Sequence, residues 1–153
     1  TAFWYWNGNS QQLGFVEYGA ASNLPGQGEA KGLLWQGELP QVQTAAQFTQ
    51  HIQSRLRRCP LHLSSASQRP IKTLAWCTGA AQGYIEQAAQ LGVDAYVSGE
   101  VSEQTFHLAQ ELDIHYFAIG HHASESFGVQ ALAQHLAQQF ALDWEFVDVA
   151  NPV

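Results

Sequence analysis

The sequence has little positive charge, since only six of its 153 residues are lysine or arginine, against 13 aspartates and glutamates. The formal net charge is −7, and non-specific nucleic-acid binding depends on clustered cations that neutralise phosphates. Duplex DNA is therefore excluded as an expected partner. The one basic run, Arg55, Arg57 and Arg58, closes a predicted helix. Cations interact favourably with the negative end of a helix dipole, and we prefer this interpretation to a binding patch.

Cysteine and long apolar runs are also scarce. The two cysteines, Cys59 and Cys77, have no C-x-x-C spacing, which favours a reducing compartment. No apolar run approaches the ~20 residues of a membrane span, and TAFWYWNGN has neither the basic start nor the length of a signal peptide. We therefore expect a cytoplasmic protein without a membrane anchor. The chain has no methionine, which fits either part of a longer protein or removal of an initiator.

The remaining composition is that of a globular domain. Apolar residues make up 46% of the chain and aromatic residues 12%, which is enough to build a sizeable core in a single domain. Residues 1–31 are rich in Gly, Asn, Ser and Gln and are predicted to be a poorly defined N-terminal segment, with a short strand over 15–18. Residues 32–153 are predicted to form an α/β domain.

Strand and helix patterns alternate along residues 32–153. Alternating or continuous apolar runs predict strands over 32–39, 61–65, 71–77, 94–99, 114–120 and 143–149. Apolar residues spaced three to four apart predict helices over 44–57, 83–91, 102–112 and 124–140. Pro40 is expected to end the first of these strands. The order predicts a layered mixed sheet with flanking helices.

Three consecutive predicted strands end in chemically capable groups. These ends are Cys-Thr-Gly at 77–79, Ser-Gly-Glu at 98–100 and Gly-His-His at 120–122. In open α/β sheets, ligands bind beyond the carboxyl ends of strands, because loops and helix N-termini converge there. We therefore expect the three ends to share one site.

His121 and Glu125 are the candidate metal ligands. Imidazole and carboxylate bind zinc, manganese or iron, and the spacing lets both side chains converge on one ion. The alternative is that Ser124 caps the last helix and that His121 and His122 are polar loop residues. Because a catalytic metal normally has three protein ligands and one open position, His121 and Glu125 alone would be an incomplete site.

Glu100 and His107 are the candidate proton-transferring residues. They lie seven residues apart, about two helical turns, so they are expected to project from similar sides of one helix and its lead-in. They would act as a base and a proton shuttle. The alternative is an acid that favours the helix dipole and a half-buried histidine. The other four histidines, at positions 51, 62, 115 and 135, have no partner at ligand spacing and are interpreted as surface or packing residues.

Several motifs of the chain resemble one known family. The motifs are AWCTGAAQ, DAYVSGEVSEQTFH, GHHASES and FVDVANPV. They are similar to the C-terminal half of the GTP cyclohydrolase I type 2 homologue family, also called the Nif-three-like proteins. The resemblance is dense over residues 71–153 and weaker over 32–70. It implies an α/β fold in two similar halves, a ring-shaped homohexamer, and a two-metal centre that takes two divalent ions (Zn, Mn or Fe) per complete subunit.

The resemblance also implies roles for individual residues. The family's G-H-x-x-x-E metal ligands fall on His121 and Glu125, and its cleft residues fall on Glu100 and His107. The family's other ligands belong to its N-terminal half, as a His-His pair and a D-x-H motif, and neither motif occurs in this chain. We therefore expect a fragment of a longer protein rather than one that has lost half its site.

The resemblance implies a divalent-metal-dependent hydrolase acting on a nucleotide or related heterocycle, and a phosphorylated metabolite fits the ligand set equally well. The alternative is a non-catalytic metal-binding oligomeric scaffold or regulatory binding protein. A third interpretation is a structural α/β domain without metal. The glycine loop at 79–83 has alanines at 80 and 81 where the family often has Gly or Ser, so anion binding there is not predicted.

Overall fold

The computed structural model describes residues 12–21, 32–149 and 151. Its strands are β1 (Val16–Ala20), β2 (Trp35–Gln43), β3 (Leu61–Leu63), β4 (Ile71–Cys77), β5 (Ala95–Ser98) and β6 (His115–Ala118). Its helices are α1 (Ala45–Leu56), a short 3-10 helix (Gln82–Tyr84), α2 (Ile85–Gln90), α3 (Glu103–Glu111) and α4 (His121–Phe140). The six strands form one sheet in the order β1-β2-β4-β5-β6-β3. The predicted α/β fold with a mixed sheet and flanking helices is confirmed.

The centre of the sheet is parallel and its outer strands are antiparallel. β5 pairs in parallel with β4 and with β6, and helices α2 and α3 make the two crossover connections. Every residue of β5 and β6 is buried, as is usual for parallel strands covered on both faces. Because parallel strands share a direction, β4, β5 and β6 end at the same edge of the sheet. This edge carries the candidate site.

An aromatic cluster fixes α1 against the sheet. Phe48 and Ile52, four residues apart on α1, are fully buried. Phe48 meets Phe117 of β6 edge-on at 4.8 Å between ring centroids. Phe15 lies 6.0 Å from Phe48 and 5.3 Å from Trp76 of β4. Burial of such side chains stabilises the fold by roughly 1.5–3 kcal/mol each, so α1 is held in place from end to end.

The ends of α1 follow from its terminal residues. Thr44 caps the helix: its side chain accepts the Gln47 N–H at 3.3 Å, and its own N–H donates to Gln47 Oε1 at 2.8 Å. This capping box satisfies two backbone donors. The helix ends at Arg57, whose φ of 54° and ψ of 24° are left-handed. Left-handed backbone terminates a helix because it turns the chain away from the helical hydrogen-bond ladder.

The prediction that Pro40 ends the strand predicted over 32–39, which is β2 in the structure, is wrong. β2 continues to Gln43, and its register with β4 is irregular between Glu38 and Gln43. β1 pairs with β2 only as far as Glu38. Proline is tolerated at irregular or edge positions of a sheet, because no neighbouring strand needs its missing N–H there.

Helix α4 begins earlier than predicted. It starts at His121 instead of Ser124, and Gly120 is its N-cap with a φ of 96°. A positive φ is easy for glycine and strained for other residues, so the turn before His121 depends on Gly120. The interpretation of Ser124 as a cap, with His121 and His122 in a loop, is wrong. Both histidines lie in the first turn of α4.

The strand predicted over 143–149 is not formed. In the described part of the chain this segment has no strand partner, and Val147 and Val149 are about 70% exposed (72% and 70%). An alternating pattern becomes a strand only where a neighbouring strand supplies its backbone partners. Apolar residues of the preceding helix α4 are also exposed, including Phe140 at 67%.

The short strand predicted over residues 15–18 is observed as β1. It pairs antiparallel with β2 at one edge of the sheet. Residues 1–11 and 22–31 of the predicted N-terminal segment lie outside the described residues. No helix in the described ranges has both the length and the apolar character to cross a membrane.

Candidate metal centre

Three glycines join the strand ends into one surface. The Gly99 N–H donates to the Gly79 carbonyl at 3.1 Å, and the Gly120 N–H donates to the Gly99 carbonyl at 2.9 Å. Gly99 has no room for a side chain, since a Cβ there would lie 2.6 Å from the Gly79 carbonyl oxygen. The loops after β4, β5 and β6 are therefore packed backbone to backbone. The three ends meet, as the expectation of one shared site requires.

Ser124 ties helix α4 to this surface. Its side chain is buried, accepts the Gly79 N–H at 3.1 Å and donates to the His121 carbonyl at 2.8 Å. These two contacts fix the first turn of α4 relative to the loop after β4. The sequence suggested Ser124 as a helix cap. In the structure Ser124 instead anchors the turn of α4 that carries His121 and Glu125.

His121 lies between two carboxylates. Its Nδ1 is 2.6 Å from Glu100 Oε1, and its Nε2 is 3.4 Å from Glu125 Oε2. His121 and Glu125 are four residues apart on α4, a spacing that puts both on one helix face. The hydrogen bond to Glu100 raises the pKa of His121, partial burial lowers it by less, and the charge of Glu125 raises it further.

Glu100 gives the two nitrogens of His121 different roles. In the neutral ring, a carboxylate at Nδ1 accepts the Nδ1–H, and Nε2 would then be available to a cation placed between it and Glu125. A histidine that binds a metal normally donates its other N–H in this way, to a carboxylate or a carbonyl. Glu100 is itself held by its backbone, because its carbonyl accepts a hydrogen bond from the Tyr116 hydroxyl. The Nε2–Glu125 side of the pair is therefore the side that fits a metal ion.

Gly79 leaves the space next to this pair. Its φ is +68°, and a Cβ at this position would lie 2.5 Å from Glu125 Oε1 and 3.3 Å from His121 Nε2. Cys77, two residues earlier, is not a suitable ligand, since burial and then the charge of Glu125 raise the pKa of its thiol to about 12. A thiol binds metals as its thiolate.

The described residues offer two candidate metal ligands, His121 and Glu125. Within the ranges 12–21, 32–149 and 151, no group of three or more His, Cys, Asp or Glu side chains could hold a metal ion. His121 and Glu125 have the right chemistry and converge, so they fit a divalent ion as part of a ligand set. A complete set needs a further contribution.

His107 is separate from the other three predicted residues. It is exposed on α3, where its ring lies 5.4 Å from that of Phe106. As far as the described chain goes, it has no hydrogen bond or ion pair to Glu100, His121 or Glu125. The reason is that Glu100 precedes α3, so the seven-residue spacing does not correspond to two turns of one helix.

A groove opens beside the pair. It has a volume of about 380 Å³ and is lined by His121, His122, Glu125, Ser126, Val129, Phe146 and Asn151. His122 Nε2 lies 3.2 Å from Asp148 Oδ1. Phe146 and Asp148 were not predicted as site residues, because they belong to the segment 143–149 that was predicted to be a strand, and Asn151 lies just beyond it. Only the return of the chain across α4 brings them here.

Comparison with known proteins identifies the family. Residues 7–152 match the family model described as Duf34/NIF3 (NGG1p interacting factor 3), and the chain belongs to this family. It is 55% identical over 123 residues to a protein of Allochromatium vinosum, covering 80% of this chain and 48% of the relative. It is 46% identical over 143 residues to a protein of Pseudomonas aeruginosa, covering 94% and 54%. Both relatives are named GTP cyclohydrolase 1 type 2 homolog.

Solved structures agree with this assignment. The ybgI protein, described as of unknown function, superposes with a TM-score of 0.84 at 37% identity, covering 95% of this chain and 55% of that one. A Thermus thermophilus protein superposes with a TM-score of 0.76 at 24% identity, over 95% and 54%, which supports the fold alone. The chain spans about half the length of the curated relatives it matches.

Proposed function

We propose that this chain contributes His121 and Glu125 to the divalent-metal centre of a metal-dependent hydrolase that acts on a nucleotide or related heterocycle. The observation that carries the proposal is the placement of His121 between two carboxylates, with Nδ1 at 2.6 Å from Glu100 and Nε2 at 3.4 Å from Glu125. A bound divalent metal would supply Lewis acidity and lower the pKa of a coordinated water.

The proposed roles of the chain's own residues follow from their contacts. His121 and Glu125 would bind the metal, and Glu100 would hold the imidazole in the tautomer that leaves Nε2 available. Gly79 would keep the space beside the ligands open. Ser124 would fix the helix turn between them. In this proposal Glu100 acts on His121 first, and a further part in proton transfer depends on its release from that hydrogen bond.

The ligand set would be completed outside the described residues. A metal that activates water normally has three protein ligands and an open position, and this chain offers two. The relatives are about twice as long as the matched region. We infer that the remaining ligands belong to the part of the relatives' length that this chain does not cover, and that the complete protein holds two ions.

One observation favours a second candidate, a non-catalytic metal-binding scaffold or regulatory protein. Glu100, the predicted base, is engaged by His121, and His107, the predicted proton shuttle, is exposed on α3 away from the site. A scaffold needs the ligands and the groove but no free base. Metal content and turnover together distinguish the two candidates.

The test is elemental analysis of these 153 residues, alone and within a chain of the relatives' length. We expect weak metal binding alone and about two ions per subunit in the longer protein. His121→Ala and Glu125→Gln should each lower metal affinity at least tenfold. His135→Ala, in the same helix, is the matched control and should leave metal content unchanged. Nucleotide turnover by the metal-loaded longer protein would then support the hydrolase over the scaffold.

Unchanged metal content in both His121→Ala and Glu125→Gln would contradict the metal assignment. Stoichiometric metal without turnover of nucleoside triphosphates, diphosphates or monophosphates would favour the scaffold.

A further inference from the structure

Half of the cations of the chain line one groove. The chain has six lysines and arginines, and Arg55, Arg57 and Arg58 all contribute to a groove of about 700 Å³. This volume lies in the range of about 300–1,000 Å³ that is usual for small-molecule sites. The net charge of the whole chain is −7, whereas this groove has three cationic side chains in its lining.

The arginine groove adjoins the candidate metal centre. Its other wall is formed by α4 and the segment after it, through His122, Ala123, Ser126, Phe127, Gln130, Phe146, Asp148 and Asn151. Four of these residues, His122, Ser126, Phe146 and Asn151, also line the groove beside His121 and Glu125. The two grooves therefore share part of their lining, and a small molecule that spanned both would contact the arginines and the proposed metal ligands together.

The backbone at the arginines includes an energetically unfavourable conformation. Arg57 has left-handed backbone (φ 54°) at the end of α1, a position at which glycine or asparagine is favoured. Non-glycine residues in such conformations cost of the order of a kilocalorie and cluster at functional sites. The guanidinium of Arg58 packs on Gly120, where a Cβ would lie 2.9 Å from Arg58 Cζ. Gly120 thus makes room for Arg58 directly before His121.

The charges of the groove are only partly balanced. Neither Arg55 nor Arg57 forms an ion pair with a carboxylate among the residues that the structure describes. The carboxylate in the groove, Asp148, lies at 3.2 Å from His122. Favourable interaction with the dipole of α1 was the preferred explanation of the basic run. The dipole does not require all three side chains to line the same groove.

We propose that the arginine groove binds the phosphate group of a phosphorylated small molecule. Guanidinium groups match phosphate oxygens with paired, charge-assisted hydrogen bonds, and several arginines around one groove suit a group with two or more negative charges. The further statement that the same molecule reaches His121 and Glu125 rests on the proposed function. Phosphate binding itself does not, because no arginine of the groove is a metal ligand.

The experiment is a calorimetric titration of inorganic pyrophosphate into the protein in the presence of EDTA. Arg55→Gln and Arg57→Gly should each weaken binding about tenfold, since each loses one charge-assisted contact. Arg57→Gly keeps the left-handed turn without strain, so it separates charge from folding. Lys72→Gln removes the same charge on β4, where Lys72 pairs with Glu38, and should change pyrophosphate affinity less than twofold.

The outcomes are decisive in both directions. No measurable binding of pyrophosphate at millimolar concentration, or equal affinity in Arg57→Gly and the parent, would overturn the phosphate site. Preference for a single-stranded oligonucleotide over pyrophosphate, with competition between them, would overturn the small-molecule assignment. Because EDTA removes metal, a failure here leaves the metal proposal standing, and loss of the metal proposal leaves the phosphate site standing.

Discussion

His115 and His121 lie six residues apart on one stretch of chain, and their surroundings could hardly differ more. His115, on β6, is fully buried and has hydrogen-bond partners in His62, Ser65 and the Arg69 carbonyl. His121, in the first turn of α4, is 38% exposed and lies between two carboxylates. The comparison shows that the role of a histidine in this fold is decided by the groups that meet its two nitrogens.

The buried histidine belongs to a closed hydrogen-bond network. The Ser65 N–H donates to His115 Nδ1 at 3.2 Å, so Nδ1 carries no proton and Nε2–H donates to the Arg69 carbonyl at 2.8 Å. His62 Nε2, at 3.0 Å from the same Nδ1, must then be a donor. The His62 ring also stacks on Phe117 at 4.5 Å. The two rings join β3 to β6.

The two regions shift histidine pKa values in opposite directions. Burial lowers the pKa of His62 to about 4, with an additional contribution from His115. The hydrogen bond to Glu100 raises the pKa of His121. A buried histidine that is held in one protonation state suits a structural role. An accessible histidine with a carboxylate partner suits ligand binding. From the sequence, His62 and His115 were interpreted as surface or packing residues, and the structure places them in one hydrogen-bond network.

The largest expected effect is at the buried site. His115→Ala would leave the Ser65 N–H, the Arg69 carbonyl and the donor of His62 without their partner, and would open a cavity. The unfolding free energy should fall by roughly 3 kcal/mol, measured by urea denaturation at pH 7. His107→Ala, at an exposed position of α3, is the control and should change it by less than about 0.5 kcal/mol. A similar small change for both variants would show that the network is not structural.

The next effect compares two glycines. Gly79 and Gly92 have nearly equal φ values, +68° and +71°, but a Cβ at Gly92 would meet nothing within 4 Å. Alanine at either position adds about 1 kcal/mol of backbone strain. Gly79→Ala also forces Glu125 away from His121, so we expect a loss of about 2 kcal/mol and weaker metal binding. Gly92→Ala should lower the unfolding free energy by about 1 kcal/mol and leave metal affinity unchanged. Equal effects on metal affinity would show that the space beside the pair is unimportant.

A smaller effect is expected from pH. His62 has a lower pKa when folded than the ordinary value of 6.5, so the unfolded chain binds its proton more tightly. Its contribution to stability is therefore complete above pH 6.5 and is lost as the pH falls towards 4. Since His62 is only half-buried, the loss should be about 1–2 kcal/mol. Urea denaturation between pH 4.5 and 7 measures it, and His62→Gln should remove most of the slope.

The smallest effect on stability is expected at the solvent-accessible pair His121 and Glu100. His121 has a raised pKa, so its contribution is present at low pH and is lost as the pH rises through the folded value, opposite in sign to that of His62. Because these side chains are more than a third exposed or close to it, Glu100→Gln should change stability by less than about 0.5 kcal/mol. The same substitution should lower the pKa of His121 towards its ordinary value in an NMR titration. An unchanged pKa would show that Glu100 does not hold the ring.

Prediction from sequence succeeded where the pattern is local. The strand over 71–77 and the alternation of strands and helices follow from apolar periodicity, which depends on neighbours in the chain. It failed at Pro40, at the start of α4 and over 143–149. In each case the decision depends on a partner distant in sequence: the reach of β1 along β2, the contact of Ser124 with Gly79, and a neighbouring strand that is not present in the described chain.

The amino-acid order alone predicted that β4, β5 and β6 would end at one edge, and that the spacing of His121 and Glu125 would let both side chains converge on one ion. Only the tertiary structure decided that Glu100 faces Nδ1, that three arginines line the adjoining groove, and that His62 meets His115 across 53 residues of sequence. The physical reason is that short-range periodicity follows from backbone geometry, whereas the neighbours of a ring nitrogen depend on how separate elements pack.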